Sequence, residues 1–225
     1  MITQYVVPVG VGSFRDLVSL TSKSGKKSLF VDKTRFIQEI LEDGAKIVLI
    51  TRPRRFGKTI NMSMLQHFLS AAVDGLFTKD LFNGLLISND EASMAYQGKF
   101  PVIFITFKDA KGDSYVAIEA AIRKQMKLVY KEFRYLLDKQ LISKEDQLIY
   151  QQMLDKTSSL SDLINSIVDL SEYIYAESGV RPYLLLDEYD TPIHSAYAQD
   201  YYPEVINLIR SMLCTALKDN SNIEK

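Results

Sequence analysis

The run Thr51-Arg52-Pro53-Arg54-Arg55-Phe56-Gly57-Lys58-Thr59 sets three arginines, a glycine and a lysine between an apolar stretch and the start of a helical period. Residues of these types in this order can hold a polyphosphate. Glycine, lacking Cβ, lets backbone N–H groups close around phosphate oxygens. A helix beginning at Lys58 would aim its first N–H groups and the positive end of its dipole at the same anion. The Lys58 ammonium would then reach the β and γ phosphates of a nucleoside triphosphate, and the Thr59 hydroxyl would face Mg²⁺. Arg52, Pro53, Arg54, Arg55, Phe56 and Ile60 complete the candidate binding loop. The pattern G-x-x-x-x-G-K-[ST] is met only in its second half, because Arg52 stands where the first glycine is expected. Without its flanks, the loop reads better as a basic surface turn capping a helix.

A second group of chemically capable residues lies far along the chain. Asp187 and Glu188 follow directly on the apolar residues Tyr183 to Leu186, so a strand there would deliver two carboxylates at its C-terminal edge. Open parallel sheets bind ligands at that edge. Asp187 suits a Mg²⁺ ligand and Glu188 suits the group that polarises an attacking water. An acidic pair alone can simply end a strand in solvent. It is the conjunction with a lysine-bearing loop that describes a phosphate site with its counter-metal. Nearby, Asp190 reads as a cap for the turn through Thr191 and Pro192, and His194 as a γ-phosphate or sensor contact. His67, on the loop's own helix, reads as packed or surface-lying. No second histidine or cysteine accompanies either at metal-ligand spacing.

These groups need a scaffold that brings them to one edge. Residues 45–51 are short, rich in β-branched types and bounded by Gly44 and Pro53, which predicts a buried strand feeding the basic loop. A helical period follows over 58–73, with Ile60, Met64, Leu65 and Phe68 facing a core. Residues 101–107 predict a second buried strand and 183–189 a third. Between them, 115 to about 174 is helical, starting with one long amphipathic helix from Ala117 through Leu137 and continuing around 148–154 and 160–175. A helix over 203–217 follows. Upstream, 21–28 is turn-rich and Phe36, Ile37, Ile40 and Leu41 form a helical stripe. Strands alternating with helices give an α/β fold with a mainly parallel sheet, three-layered, in a single domain over 1–225. Within it lie an N-terminal lead and helix over 1–42 and a helical section over 110–178.

Composition narrows the partners. The formal net charge is −1, which recommends neither nucleic acid nor an anionic membrane at whole-chain level. Nucleic acid stays open only through Arg52, Arg54 and Arg55. No stretch approaches the ~18 apolar residues of a membrane span, and the N-terminus lacks a basic region leading into an apolar one, so a cytoplasmic protein is expected. The single cysteine, Cys214, excludes an intrachain disulfide and reads as core.

Four segments in order, LFVDKTRFI, RPRRFGKT, FPVIFITFKD and LLLDEYDTPI, together resemble the bacterial AAA-ATPase-like family, and they span nearly the whole chain. That family is similar to the STAND-type and archaeal ATPases of the P-loop class, and it accepts arginine and proline at the start of the loop. The resemblance implies ATP with Mg²⁺ as cofactors, Lys58 and Thr59 as Walker A residues, and Asp187 and Glu188 as Walker B residues. It also implies a place near the adenine for the segment holding Asp32, Lys33 and Thr34, although a helix N-cap explains those residues equally well. By the same resemblance the family fold continues past residue 225 into a sensor strand, a lid and a C-terminal nuclease-like domain. A chain ending there would leave one sheet position empty and could bind nucleotide with impaired hydrolysis.

The leading expectation is therefore an ATPase that transfers the γ-phosphoryl group to water, with Lys58 and Mg²⁺ neutralising developing charge. Two alternatives stand beside it. One is a non-hydrolysing switch whose nucleotide state orders a protein-binding surface on the helical section. The other is a small-molecule kinase, disfavoured by a glutamate placed to activate water.

Overall fold

The computed structural model describes residues 8, 10–23, 30–51, 56–218 and 220–225. Arg52, Pro53, Arg54 and Arg55 of the expected binding loop lie outside the described residues. The chain divides into two compact units, Met1–Val102 and Ile103–Lys225.

The first unit is mainly helical. Helices α1 (Phe14–Lys23), α2 (Arg35–Glu42) and α3 (Lys58–Leu69) are followed by a two-stranded hairpin, β1 (Ala72–Val73) and β2 (Leu76–Phe77), and by a short helix α4 (Glu91–Met94). Two 3₁₀ turns, Lys79–Phe82 and Leu86–Asn89, lie between the hairpin and α4. Phe14, Phe68 and Phe82, all fully buried, form the centre. Phe14 stacks on Phe82 at 5.0 Å between ring centroids, and Phe68 meets Phe82 edge-on at 5.1 Å. The Phe14 backbone N–H donates to Ser63 Oγ at 3.0 Å, fixing the start of α1 to the middle of α3.

Two expectations fail in this unit. Helix α3 stops at Leu69 instead of continuing to Val73, because Asp74 and Gly75 both take positive φ and close a tight antiparallel hairpin that pairs Ala72 with Phe77. Residues 45–51 carry no strand, and Ile47 and Leu49 are 56% and 65% exposed. A strand is stabilised by its ladder partners and packed face, not by β-branched composition alone, and within this unit no described segment supplies a partner.

The second unit holds the predicted parallel pair. Strands β3 (Val102–Thr106) and β4 (Tyr183–Asp187) are hydrogen-bonded neighbours. The Phe107 N–H donates to the Asp187 carbonyl at 3.0 Å, which joins the C-terminal ends of both strands, so they run in the same direction. At the other end of β4, the Glu224 N–H donates to Pro182 O and Leu184 N–H to Lys225 O, both at 3.0 Å, so the last residues run beside its first half. The three-layer parallel sheet expected from the sequence is thus represented by an α/β arrangement with small sheets.

Helices α5 (Tyr115–Glu132), α6 (Tyr135–Asp138), α7 (Lys144–Asp155) and α8 (Leu160–Ser178) form the expected helical section, and α9 (Thr191–Ala196) and α10 (Tyr202–Leu217) follow β4. The single long helix expected through Leu137 breaks at Phe133 and Arg134, whose N–H groups turn back to Tyr130 and Lys131 three residues earlier, while Phe133 and Leu136 stay in the core. Ser114, Ser143 and Ser159 cap α5, α7 and α8, the last in a reciprocal box with Asp162. Cys214 is exposed, not core. The buried stripe of α10 runs through Val205, Leu208, Ile209, Met212 and Ala216, and a residue two beyond Met212 points to the opposite face.

Candidate functional site

Gly57 is the residue on which the loop turns. It sits at φ 76° and ψ 23°, a left-handed conformation that costs a residue with Cβ, and it immediately precedes Lys58, the first residue of α3. Its carbonyl accepts the first helical bond, from Asn61 N–H at 2.9 Å. The turn therefore delivers Lys58, Thr59 and Ile60 on the opening turn of a twelve-residue helix, where the dipole favours an anion. Thr59 is exposed and Lys58 and Ile60 half-buried, while Phe56 is 58% exposed.

Beside Gly57 the first unit has a cleft of about 190 Å³. Pro8, Val11, Leu17, Phe30 and Val31 from the N-terminal part and Ile60 and Met64 from α3 give it an apolar lining, to which Lys33 and Asn61 add polar groups. It is smaller than pockets that enclose whole drug-sized ligands, and it suits one end of an elongated ligand. Sequence reasoning missed most of this lining. One signal was available: Asn61 lies three and four residues before Met64 and Leu65, so it is a polar residue on the buried stripe of an otherwise apolar helix face.

The segment ahead of α2 is held in place by Asp32. Its Oδ1 accepts from the Thr34 N–H at 2.9 Å and the Thr34 hydroxyl at 2.7 Å, and its Oδ2 accepts from the Leu86 N–H at 2.7 Å. Thr34 Oγ1 in turn accepts from Ile87 N–H at 3.0 Å. Both oxygens of Asp32 are thereby engaged in fastening the segment to the 3₁₀ turn at Leu86–Asn89, and it is the flanking Val31 and Lys33 that line the cleft. His67 is buried at 3% exposure, with Nδ1 2.7 Å from the Ser63 carbonyl. Burial lowers its pKa, the bond to that carbonyl opposing, so the ring is neutral and packed.

In the second unit, Asp187 ends β4 and is 6% exposed, while Glu188 is exposed. Glu188 takes φ 53°, a positive value that only a few per cent of non-glycine residues adopt. Its turn is closed by Thr191 N–H to Glu188 O at 3.0 Å, and its Oε2 accepts from the Thr191 hydroxyl at 2.9 Å. The chain thus reverses directly after the strand and holds one carboxylate inside and one out. Asp190 precedes α9 without a side-chain cap bond, and its Oδ2 lies 3.2 Å from His194 Nε2. Among the described residues no group of three or more His, Cys, Asp or Glu is gathered for a metal ion. Thr59 in the first unit carries a hydroxyl and Asp187 in the second a carboxylate, each a hard oxygen donor of the kind Mg²⁺ takes. The basic loop belongs to the first unit and the acidic strand end to the second.

A family model described as a predicted AAA-ATPase matches residues 8–225. The chain belongs to this AAA-ATPase-like family. Membership points to nucleotide binding at a coarse level. A curated relative, an uncharacterized protein in the vnfD 5' region of Azotobacter chroococcum mcd 1, is 25% identical over 207 residues. That match covers 92% of this chain and 33% of the relative, so the AAA-ATPase-like chain spans about a third of the protein it resembles. No solved structure matches it. No helix among the described residues is long and apolar enough to cross a membrane.

Proposed function

We propose that this AAA-ATPase-like chain binds ATP with Mg²⁺ and hydrolyses it to ADP and phosphate. Arg52, Pro53, Arg54, Arg55, Phe56 and Gly57 form the loop around the triphosphate, with the Lys58 amine on the β and γ phosphates and Ile60 at the helix start. Thr59 and Asp187 would hold the metal ion, which when bound would supply charge neutralisation at the phosphates. Glu188 orients the attacking water. The base end of the nucleotide occupies the cleft lined by Val11, Phe30 and Ile60. The observation that carries this reading is the adjacency, within one compact unit, of a left-handed glycine at the start of α3 and an apolar cleft lined by that same glycine. A phosphate end and a base end lie side by side.

The test is nucleotide titration of the Lys58→Ala variant. Loss of at least tenfold in ATP affinity is expected, and unchanged affinity would remove the phosphate role from the loop. Glu188→Gln separates the enzyme from the switch. It keeps an oxygen that can accept the Thr191 hydroxyl, so nucleotide affinity should hold while phosphate release falls by about 10²-fold or more. Wild-type chain that binds ATP yet releases no phosphate in a Glu188-dependent way supports the non-hydrolysing module instead.

A further inference from the structure

We propose that Asn61 reads the base, selecting adenine over guanine through its carboxamide. The inference rests on the nucleotide reading above and adds the residue that sets its specificity.

Three polar residues occupy the buried side of α3, and two of them are bonded within the protein. Ser63 accepts from the Phe14 N–H and lies 3.4 Å from His67 Nδ1, and His67 is bonded to the Ser63 carbonyl. Asn61 is 7% exposed, and its carboxamide has no partner among the described residues. A side-chain amide carries two donors and an acceptor, and native proteins rarely leave a largely buried one without a partner from the protein, water or a ligand. Asparagine is also a poor choice for a helix interior on propensity alone. Neither packing nor helix formation accounts for it.

Its surroundings do. Asn61 lines the cleft together with the apolar residues Val11, Phe30, Ile60 and Met64, one helical turn from Gly57. A planar ligand end between such walls would present its polar edge to the Asn61 carboxamide, the one side-chain amide among the described lining residues. Adenine offers N7 as acceptor and the N6 amino group as donor on one edge, which matches the donor and acceptor of an asparagine amide in a two-bond pair. Guanine offers two acceptors, O6 and N7, on that edge and leaves the amide oxygen unmatched. An amide oxygen covered by the bound base and left unmatched is penalised, so one residue can discriminate.

The experiment is calorimetric titration of the full chain, wild type and Asn61→Leu, with ATP, GTP, 7-deaza-ATP and inorganic tripolyphosphate in the presence of Mg²⁺. The wild type is expected to prefer ATP over GTP and to bind 7-deaza-ATP about tenfold more weakly than ATP, because that analogue lacks the N7 acceptor. Asn61→Leu should bind ATP about tenfold more weakly and treat the two adenine nucleotides alike, with tripolyphosphate affinity unchanged. The 7-deaza comparison on wild type needs no variant, so the proposal stays testable if Asn61→Leu folds poorly. Equal wild-type affinity for ATP and 7-deaza-ATP, or an ATP-to-GTP ratio that survives Asn61→Leu, overturns the role of Asn61 while leaving nucleotide binding intact. A wild type that binds neither ATP nor tripolyphosphate overturns the nucleotide reading itself, and the inference with it.

Discussion

Single residues carry both the clearest and the least visible parts of this protein. Gly57 was legible as a turn residue ahead of a helix, and it takes a left-handed backbone there. Asn61 was less legible, since asparagine has many uses and only its burial beside a cleft narrows them. Asp169 was invisible for the same reason. It lies half-buried on α8, and its carboxyl is pushed up to about 6, first by burial and then by the like charges of Glu172, Asp146 and Asp162. Tyr173, whose hydroxyl donates to Asp146 Oδ1 at 3.0 Å, and the buried Tyr130 also face this acidic group. A carboxyl raised above its ordinary value binds its proton more tightly folded than unfolded. The charged form therefore weakens the fold at neutral pH, and that loss is recovered as pH falls through 6 towards the ordinary carboxylate range. Asp169→Asn should stabilise the chain by about 1 kcal/mol at pH 7.5, solvent screening of a half-buried group reducing the full linkage value. Urea unfolding of both proteins at pH 7.5 and pH 4 checks this, and the two curves should converge at the lower pH.

At the scale of elements, sequence pattern located most helices and both strands of the parallel pair but not what holds them. β3, β4, α8 and α10 lie within a few residues of their expected positions, because long periodic helices and short apolar runs bounded by turn residues carry strong local signals. The segment 45–51 has an equally strong local signal and no strand, since ladder partners are not encoded within seven residues. The helix α1 was missed because its cohesion comes from Phe14 packing on Phe82 and binding Ser63, contacts dozens of residues away. The loop from β3 to α5 shows the same dependence. Gly112 is packed so closely on the start of α5 that an added Cβ would lie 2.6 Å from Ala117 Cβ and 3.2 Å from Ile118 N. Its carbonyl accepts from the Tyr201 hydroxyl at 3.1 Å, and its N–H donates to Ser195 Oγ at 3.3 Å. The loop after β3 is thereby tied to the segment that follows the acidic turn of β4. Gly112→Ala should force these neighbours apart and destabilise the chain by about 1–3 kcal/mol. Chemical denaturation measures the loss, and an unchanged midpoint would mean that the loop yields freely.

At the scale of the whole molecule, the decisive question is whether one ligand engages residues of both compact units. Lys58 and Thr59 belong to the first and Asp187 and Glu188 to the second, so a metal-bound triphosphate that uses all four must couple the units energetically. Mass action fixes the size of the effect. A ligand at 100 times its Kd stabilises the state that binds it by about 2.7 kcal/mol. If all four residues act on it, that stabilisation is distributed over both units. Hydrogen exchange with saturating Mg²⁺ and ATP should then slow at the start of α3 and also in the turn after β4, from Asp187 to Thr191. Lys58→Ala should remove both effects together, since the second unit gains protection only through a ligand that the first has bound. Asp187→Ala should weaken the metal-dependent part while leaving metal-free nucleotide binding at the α3 end. Protection confined to the first unit in the wild type would leave a nucleotide-binding loop and cleft standing but detach the acidic pair from it. Coupled protection would make hydrolysis at Glu188 a property of the two units acting on one substrate.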